Sequence, residues 1–425
     1  MSGDPALERP RLRSVEAIPT SDGRVCLRDP QGFADKLLLL PPQALLIVSL
    51  FDGGRSLRDI QAEVARRSGE LLFEEPLREL IGRLDEALFL ESERFGRVQA
   101  RAIGEFAAAP VREARHAGVS YAREPEALRR QLDALFAAAP AKAGQQGDSP
   151  PQGHLRALIV PHIDLERGGA CYAAGYGELA RAGAGGTFVV LGVAHAPSRR
   201  RYALCAKDFA TPLGLLPADR ELITDLRARC RTDFLEEEFL HRSEHSVEFQ
   251  ALFLRYVFRD KEVKILPVLC SSLPALAEGG PPESDAEAEE FLAALGAALA
   301  ERGREACLVA GADLAHVGRR FGQALSLTPE LLRDLERRDR AMIDGLLARD
   351  AAGFFHSIQQ EQDRRNVCGV PALYTLLRLL EAGASPAAGF QAPVSPGRLL
   401  SYGQAPDPAS DSVVTFMSAA FYDAT

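Results

Sequence analysis

The chain has 425 residues, of which 46% are hydrophobic and 26% are charged, and its formal net charge is −9. This composition is typical of globular proteins, and the length favours two domains over one. The acidic balance excludes a broad basic field, so we expect no binding to nucleic acid and no attraction to an anionic membrane.

The first 24 residues are polar and predict a flexible arm ahead of a small domain over residues 25–96. Three short helices are expected in that domain. Pro41-Pro42 begins the first, because proline is tolerated at the first positions of a helix. Ser56 and Asp59 have the spacing of a capping box and begin the second helix.

The third helix of the small domain begins at Pro76, and its leucines and one isoleucine form a single stripe. Three helices and a short apolar β element over residues 88–90 indicate a winged helix. Residues 52–94 contain seven arginines and eleven acidic residues, which disfavours DNA binding because phosphates attract a basic face. The pattern resembles the small PqqD-like winged-helix modules that bind peptides in peptide-modification systems. A dimerisation or packing domain is the alternative.

Residues 97–111 are predicted to link this domain to a second one over residues 112–425, in which apolar strands alternate with helices. The strands start at residues 155, 187, 263, 306 and 412, and the helices cover 169–182, 247–258, 289–302, 329–349 and 371–381. The alternation predicts an α/β fold with a mostly parallel sheet that helices cover on both faces. Two segments rich in small and polar residues, 136–153 and 273–288, are expected to be mobile loops.

The seven cysteines form no C-x-x-C pair. An odd, scattered set in a long chain indicates a reducing compartment rather than a disulfide framework. The N-terminal residues contain no apolar stretch of the kind that begins a secretion signal. No run approaches the roughly 18 apolar residues that a membrane helix needs. We therefore expect a cytoplasmic protein without a membrane span.

Histidines follow three of the predicted strands at the point where each strand ends. His162 follows the first strand, His195 the second, and Asp313 with His316 the fourth. Binding sites of open α/β sheets form at the carboxyl ends of the strands, so we expect these side chains to meet. Each of these residues alone is more often a structural residue or a turn cap. The prediction therefore depends on their occurring together at one edge of the sheet.

Three further candidates lie at helix starts. His245 and Glu248 are one helical turn apart at the start of a predicted helix, and Cys368 precedes the last long helix. The alternatives are a solvated first-turn glutamate and a cysteine that acts as a small buried hydrophobe. The other histidines fall in polar loops or at helix ends and are predicted to be surface residues: His116, His154, His241 and His356.

Seven short motifs occur in a fixed order in the second domain. They are Pro161-His162 with Gly168-Gly169, LGVAH at 191–195, TPLG at 211–214, EHSVEFQ at 244–250, ILPVL at 265–269, DLAHVGRRF at 313–321, and Cys368-Gly369. In this order they resemble the Memo family, specifically its branch called AmmeMemoRadiSam system protein B. The resemblance covers the chain from residue 112 to its end.

The resemblance implies a Memo-like fold, similar to that of the class III extradiol dioxygenases, which are non-haem iron enzymes. By the same resemblance, His162, His195 and Cys368 match the metal-ligand positions of the family, and Asp313 and His316 match other polar residues of its pocket. Two loops beside the pocket differ from the family pattern. The chain has P-H-I-D-L where Memo sequences usually have P-H-A-G-Y, and G-V-A-H where they usually have G-P-x-H.

Two imidazoles and a thiolate suit iron, copper or zinc, and iron is the first expectation. His316 is expected to act as the general acid or base, and Asp313 to orient that ring or to bind substrate. His245 and Glu248 are expected to line the rim or to supply supporting hydrogen bonds. The function expected from this set is that of a metal-dependent, dioxygenase-like oxidoreductase.

The family resemblance also implies partners, namely an AMMECR-type protein and a radical-SAM protein in a modification system. The chain has no C-x-x-x-C-x-x-C motif, so radical-SAM chemistry would belong to a partner. Two alternatives remain. The pocket and the N-terminal module could form a non-enzymatic scaffold that binds a peptide or protein, and histidines at strand ends also serve zinc-dependent hydrolases.

Overall fold

The computed structural model describes residues 4–20, 22–34, 37–138, 153–183, 185–302, 306–383 and 395–423. The chain divides into two compact units, residues 1–109 and 110–425. The predicted linker 97–111 contains this boundary and consists largely of the C-terminal part of the helix Glu93–Ala108. Most of the predicted loop 136–153 lies outside the described residues.

In its described residues, the N-terminal unit combines a small antiparallel sheet with four α-helices. Its strands are β1 (Glu16–Pro19), β2 (Val25–Arg28) and β3 (Leu38–Leu40), in that order across the sheet. The helices are α1 (Pro42–Val48), α2 (Leu57–Ser68), α3 (Glu74–Glu86) and α4 (Glu93–Ala108). The sheet and the apolar sides of the helices enclose one buried core, which includes Leu27, Ile60, Leu77, Leu84 and Phe89.

The three predicted helices are present in this unit. The capping box that begins α2 is confirmed, because the Ser56 side chain accepts from the Asp59 amide and the Asp59 carboxylate accepts from the Ser56 amide. The stripe predicted for α3 is buried at Leu77, Ile81 and Leu84. Apolar spacing therefore predicts the helical part of the unit well.

The predicted N-terminal arm needs correction, because β1 lies within its 24 residues and Arg13 is buried there. Arg13 forms an ion pair with Asp29 at 3.1 Å, and a pairing of this kind leaves no periodic signal in the sequence. The β element expected over 88–90 is an isolated bridge between Leu12 and Leu90. In the chain, the three strands of this unit come before its helices α1 to α4. The winged-helix and PqqD-like assignments stay predictions.

The C-terminal unit is built on a large mixed sheet. Its strands are β4 (Val111–Arg112), β5 (Leu155–Val160), β6 (Gly186–Val193), β7 (Tyr202–Leu204), β8 (Asp208–Thr211), β9 (Gly214–Leu216), β10 (Val263–Cys270), β11 (Ala306–Gly311), β12 (Asp313–Gly318), β13 (Arg398–Asp407) and β14 (Ser412–Tyr422). Eight strands form the main sheet in the order β12-β14-β5-β11-β6-β10-β7, and β13 pairs with β14. The short strands β4, β8 and β9 form a second sheet.

All five predicted strands occur, but the mostly parallel sheet needs correction. Within the main sheet, β5, β11, β6 and β10 pair in parallel with one another, whereas β14, β12, β13 and β7 pair antiparallel with their neighbours. The apolar stretch from 306 to 318 contains two strands, β11 and β12, which only Ala312 separates. The sheet is therefore a parallel centre with antiparallel strands on both sides.

The helices of this unit cover both faces of the sheet. They are α5 (Pro125–Ala138), α6 (Leu165–Ala182), α7 (Arg220–Arg229), α8 (His245–Val257), α9 (Pro274–Glu278), α10 (Ala286–Arg302), α11 (Pro329–Leu347), α12 (Ala351–Gln360) and α13 (Val370–Gly383). Alternate residues of β5 belong to two separate buried clusters, since Leu158 packs with α6 and α8 while Ile159 packs with α10 and α13. Burial on both faces accounts for the continuous apolar runs.

The segment 273–288 holds the short helix α9, a 3-10 turn over Pro282–Ser284 and the first turn of α10. Its predicted mobility stays a prediction. Among the helices of the described ranges, none is long and apolar enough to cross a membrane.

Candidate metal centre

The carboxyl ends of three central strands bring predicted site residues together. His162 follows β5 and His195 follows β6, while Asp313 begins β12 directly after the end of β11. Because β5, β6 and β11 run parallel, these residues share one edge of the sheet. The fourth residue, Cys368, lies two residues before α13.

Gly369 allows Cys368 to approach that edge. A Cβ atom at Gly369 would overlap the backbone oxygen of Asp313 and would lie 2.9 Å from the Cβ atom of Ala312. The Gly369 amide donates to the same Asp313 oxygen at 3.2 Å. Glycine is thus required by a close approach of two backbones, which carries the neighbouring thiol to the strand ends.

The structure places one possible ligand atom from each of His162, His195 and Cys368 within 4.8 Å of the others. The Cys368 Sγ atom is 3.3 Å from Nε2 of His162, and the two imidazole rings have centroids 5.0 Å apart at an interplanar angle of 82°. Separations of this size allow three atoms to share one ion, because bonds from such ligands are about 2.0–2.3 Å long. The binding of a metal stays a prediction.

His162 is held in one orientation by the backbone. Its Nδ1 atom lies 2.9 Å from the carbonyl oxygen of Gly311, so Nδ1 carries the hydrogen and Nε2 faces Cys368. Burial lowers the pKa of His162 to about 4, although the nearby Asp313 carboxylate opposes this effect. The ring is therefore neutral near pH 7, as a metal ligand must be.

Asp313 fixes the turn after β5. Its Oδ1 atom accepts from the amides of His162 at 2.9 Å and Ile163 at 3.2 Å, and its Oδ2 atom is 3.7 Å from Nε2 of His162. The side chain is almost fully buried. The predicted role of Asp313, which was to orient His316 or bind substrate, stays a prediction, and the contacts observed orient His162.

Glu244 is the site residue that sequence reasoning missed. Its carboxylate oxygens lie 3.1 Å from Nδ1 of His195 and 3.1 Å from Nδ1 of His245. It also accepts from the backbone amides of His195, His245 and Ser246. Burial raises the pKa of the Glu244 carboxyl, but the two neighbouring imidazoles hold that pKa well below its ordinary value. A buried carboxylate thus fixes two rings at once.

The group of His195, Glu244 and His245 is also close enough to share an ion. However, three backbone N–H groups point at the Glu244 carboxylate, which identifies it as a hydrogen-bond acceptor rather than a ligand. The rings of His195 and His245 stack with centroids 4.7 Å apart and an interplanar angle of 22°. His245 therefore lies beside His162 and His195, and its role at the rim of a pocket stays a prediction.

Cys368 is half-buried, and burial together with the Asp313 carboxylate raises the pKa of its thiol well above the ordinary value. The thiol is therefore protonated near pH 7 unless a cation displaces the proton, as metals commonly do. Neutral imidazole and a thiol that can ionise on binding form a donor set suited to iron, copper or zinc. The residues present thus fit a transition-metal ion.

His316 is half-buried at the same edge. Its Nδ1 atom lies 3.1 Å from the carbonyl oxygen of Leu314, and its ring packs edge-on against Phe321 with centroids 5.0 Å apart. Burial lowers the pKa of His316, which favours the neutral ring with its hydrogen on Nδ1. Its predicted acid–base role stays a prediction.

Glu248 lies outside the cluster of possible ligands that His162, His195 and Cys368 form. It is fully buried in the first turn of α8, where its carboxylate pairs with Arg112 and accepts from the Tyr121 hydroxyl. Burial raises its pKa, but Arg112 and the neighbouring donors hold the pKa below the ordinary value. Its place in the catalytic set stays a prediction, and the contacts observed support the chain around the site.

The prediction of surface positions was wrong for His241, which is buried with Nε2 at 2.9 Å from the carbonyl oxygen of Ala203. His116 is half-buried and packs edge-on against His245, with centroids 5.7 Å apart. His356 is exposed, as predicted. The sequence around His241 is polar, and its burial depends on contacts with strand β7, 38 residues earlier in the chain.

Known proteins resemble this chain over most of its length. Residues 112–420 match a family profile described as Memo-like protein. A MEMO1 family protein of Aquifex aeolicus is 27% identical over 414 residues, which are 97% of this chain and 100% of that protein. A MEMO1 family protein of Thermus thermophilus is 29% identical over 329 residues, or 77% of this chain and 90% of the relative. The Caenorhabditis elegans protein memo-1 homolog is 32% identical over 166 residues, or 39% of this chain and 44% of that protein.

Proposed function

This chain belongs to the Memo-like protein family, and from that premise we propose that it is a metalloprotein with a redox function. His162, His195 and Cys368 would hold one first-row transition-metal ion, with iron as the first expectation and copper or zinc as alternatives. The activity proposed is that of a metal-dependent, dioxygenase-like oxidoreductase.

The mutual proximity of these three donors is the observation that carries the proposal. One atom of each lies within 4.8 Å of the other two, although the residues come from three separate parts of the chain. Nδ1 of His162 lies against a carbonyl oxygen and Nδ1 of His195 against a carboxylate, so Nε2 would be the ligand atom of each ring. Outer hydrogen bonds of this kind are typical of histidines that bind metals.

The bound ion would supply Lewis acidity and electron transfer. The protein would supply donors in fixed positions and two further imidazoles beside them. His245 has its Nδ1 atom on Glu244, and His316 has its Nδ1 atom near a backbone carbonyl. In their neutral forms both rings therefore present Nε2 as a proton acceptor, which suits His316 to the role of general base.

We propose further that the chain acts in an AmmeMemoRadiSam modification system with AMMECR-type and radical-SAM partners. The ordered motifs of the C-terminal unit support this context. The N-terminal unit would recruit a peptide or partner protein. Leu71 and Phe73 support that role, because 78% and 69% of their surfaces are exposed between α2 and α3.

Elemental analysis of protein prepared without affinity metals tests the proposed function. We expect close to one iron ion per chain, and much less in the His162→Ala and Cys368→Ser variants. The His356→Ala variant is the matched control, because His356 is exposed on α12. Oxygen uptake by the iron form would support an oxygenase. Zinc with ester or amide hydrolysis would favour a hydrolase, and a wild-type chain that binds no added iron, copper, zinc or cobalt would leave only the scaffold function.

A further inference from the structure

Arg112 and Glu248 form an ion pair that is fully buried in the C-terminal unit. Arg112 lies in β4, and Glu248 lies in the first turn of α8. A buried pair of this kind is costly, because both ions lose hydration that their attraction only partly restores. Exchange of such pairs for apolar residues is often neutral for stability. The hydrogen bonds that Arg112 and Glu248 make to the surrounding backbone indicate a role other than stability.

The guanidinium of Arg112 holds the loop that leads into α8. Its Nε atom donates to the carbonyl oxygen of His241 at 2.8 Å, and a terminal nitrogen donates to the carbonyl oxygen of Glu244 at 2.8 Å. A planar guanidinium with donors in a rigid fork can fix two carbonyls at once. The backbone position of Glu244 determines where its carboxylate meets the two imidazoles of the site.

Glu248 holds a second segment, which contacts this loop. Its carboxylate accepts from the backbone amides of Arg115 at 3.2 Å and His116 at 2.9 Å, and from the Tyr121 hydroxyl. The segment in turn places His116 edge-on against His245. Nε2 of His116 lies 3.0 Å from the carbonyl oxygen of Ser243, inside the loop that Arg112 holds.

We propose that Arg112 and Glu248 are positioning residues for the metal centre. They hold the backbone of Glu244 so that its carboxylate keeps His195 and His245 in one orientation, with the hydrogen on Nδ1. Neither side chain takes part in the bond to the ion. The inference rests on the proposed function, since a metal centre is what the two rings would serve.

A double variant tests this inference without leaving a buried charge alone. Arg112→Met with Glu248→Leu removes both charges together and puts an apolar side chain at each position. The control is Arg156→Met with Asp423→Leu, which removes another buried ion pair of the same unit, with a separation of 3.0 Å. Arg156 lies near the start of β5, at the end of that strand opposite His162.

The first measurement is a titration of metal-free protein with Co²⁺, followed by the sulfur-to-cobalt absorption band. We expect the Arg112/Glu248 double variant to bind Co²⁺ about 10- to 100-fold more weakly than wild type, which is typical when supporting residues are lost. The control double variant should bind like wild type. Equal affinities in both double variants would overturn the inference.

The second measurement needs no metal. Long-range ¹H–¹⁵N correlation spectra of the metal-free protein report which ring nitrogen of His195 carries the hydrogen. We expect one form, with the hydrogen on Nδ1, in wild type and in the control, and a mixture of forms in the Arg112/Glu248 variant. A single unchanged form would contradict the inference. Failure of wild type to bind Co²⁺ would instead contradict the proposed function, and this measurement would still decide the positioning role.

Arg112→Lys provides a variant that keeps the charge. A lysine can neutralise Glu248 but lacks the fork that reaches the carbonyls of His241 and Glu244 together. We therefore expect it to fold, to bind Co²⁺ more weakly than wild type and to show the mixed forms of His195. Wild-type behaviour of Arg112→Lys in both measurements would show that charge alone is needed, and it would contradict the positioning role.

Discussion

The Sγ atom of Cys368 lies 3.3 Å from Nε2 of His162, although 206 residues separate them in the chain. The contact joins the loop before α13 to the end of β5. It brings the softest donor of the site to a histidine whose orientation the backbone already fixes. Cys368 is therefore the residue whose change should alter the metal preference most directly.

Cys368→Ser should reduce the affinity for Co²⁺ or Zn²⁺ at least about tenfold and abolish the sulfur-to-metal absorption band, because a hydroxyl does not replace a thiolate as a soft donor. Competition with a coloured chelator measures the affinity. Cys230→Ser is the control, since Cys230 is also half-buried but directly follows α7. Retention of the absorption band in Cys368→Ser would show that another cysteine binds the metal.

Glu244→Gln should weaken metal binding by about 10- to 100-fold, because the amide cannot hold Nδ1–H of His195 and His245 as a carboxylate does. It should also destabilise the protein, since Glu244 caps α8. Asp219→Asn separates the two effects, because Asp219 is a buried capping carboxylate at the start of α7. Denaturation should show a loss in both variants, whereas calorimetry should show weakened metal binding in Glu244→Gln alone.

Five strands of the C-terminal unit were predictable because their sequence signal is local. Continuous apolar runs predict β5, β6, β10, β11 and β14, and the parallel pairing of central strands then brings His162 and His195 to one edge. The proximity of Cys368 came from the family resemblance. It depends on the close approach at Gly369, which has no periodic signal.

The role of Glu244 could not be predicted from its surroundings, because a glutamate at the start of a helix normally does no more than complement the helix dipole. It does cap α8, but the same carboxylate meets His195, which is 49 residues earlier in the chain. The burial of Arg112 and Glu248 was not predicted either, because charged residues are usually exposed. A pairing across 136 residues is a property of the tertiary structure.

Gly369→Ala should destabilise the protein by about 1–3 kcal/mol and weaken metal binding, because the new methyl group would overlap the backbone oxygen of Asp313. Backbone atoms at that point cannot rotate away as a side chain can. The contrasting substitution is Gly296→Ala in α10, where no atom lies within 4 Å of the added Cβ. That variant should be more stable by roughly 0.5–1 kcal/mol. Urea denaturation measures both, and equal stabilities would remove the steric argument.

The burial of His241 should make stability depend on pH. Burial lowers the pKa of His241 to about 4, whereas an unfolded chain has a histidine pKa of about 6.5. Between these values the unfolded state binds the proton more readily, so stability is complete above pH 6.5 and is lost as the pH falls towards 4. This one group should contribute a loss of about 2 kcal/mol between pH 7 and pH 5. His162 and His316 add to the loss in the same direction, because burial also lowers the pKa of each.

Metal-free His241→Gln should therefore lose less stability than wild type between pH 7 and pH 5, by up to about 2 kcal/mol. Urea denaturation at the two pH values, with a chelator present, gives the difference. The exposed His356→Gln variant should follow the wild-type dependence. An identical pH dependence in His241→Gln and wild type would mean that His241 takes up its proton without leaving the fold, and the burial argument would then be wrong for this residue.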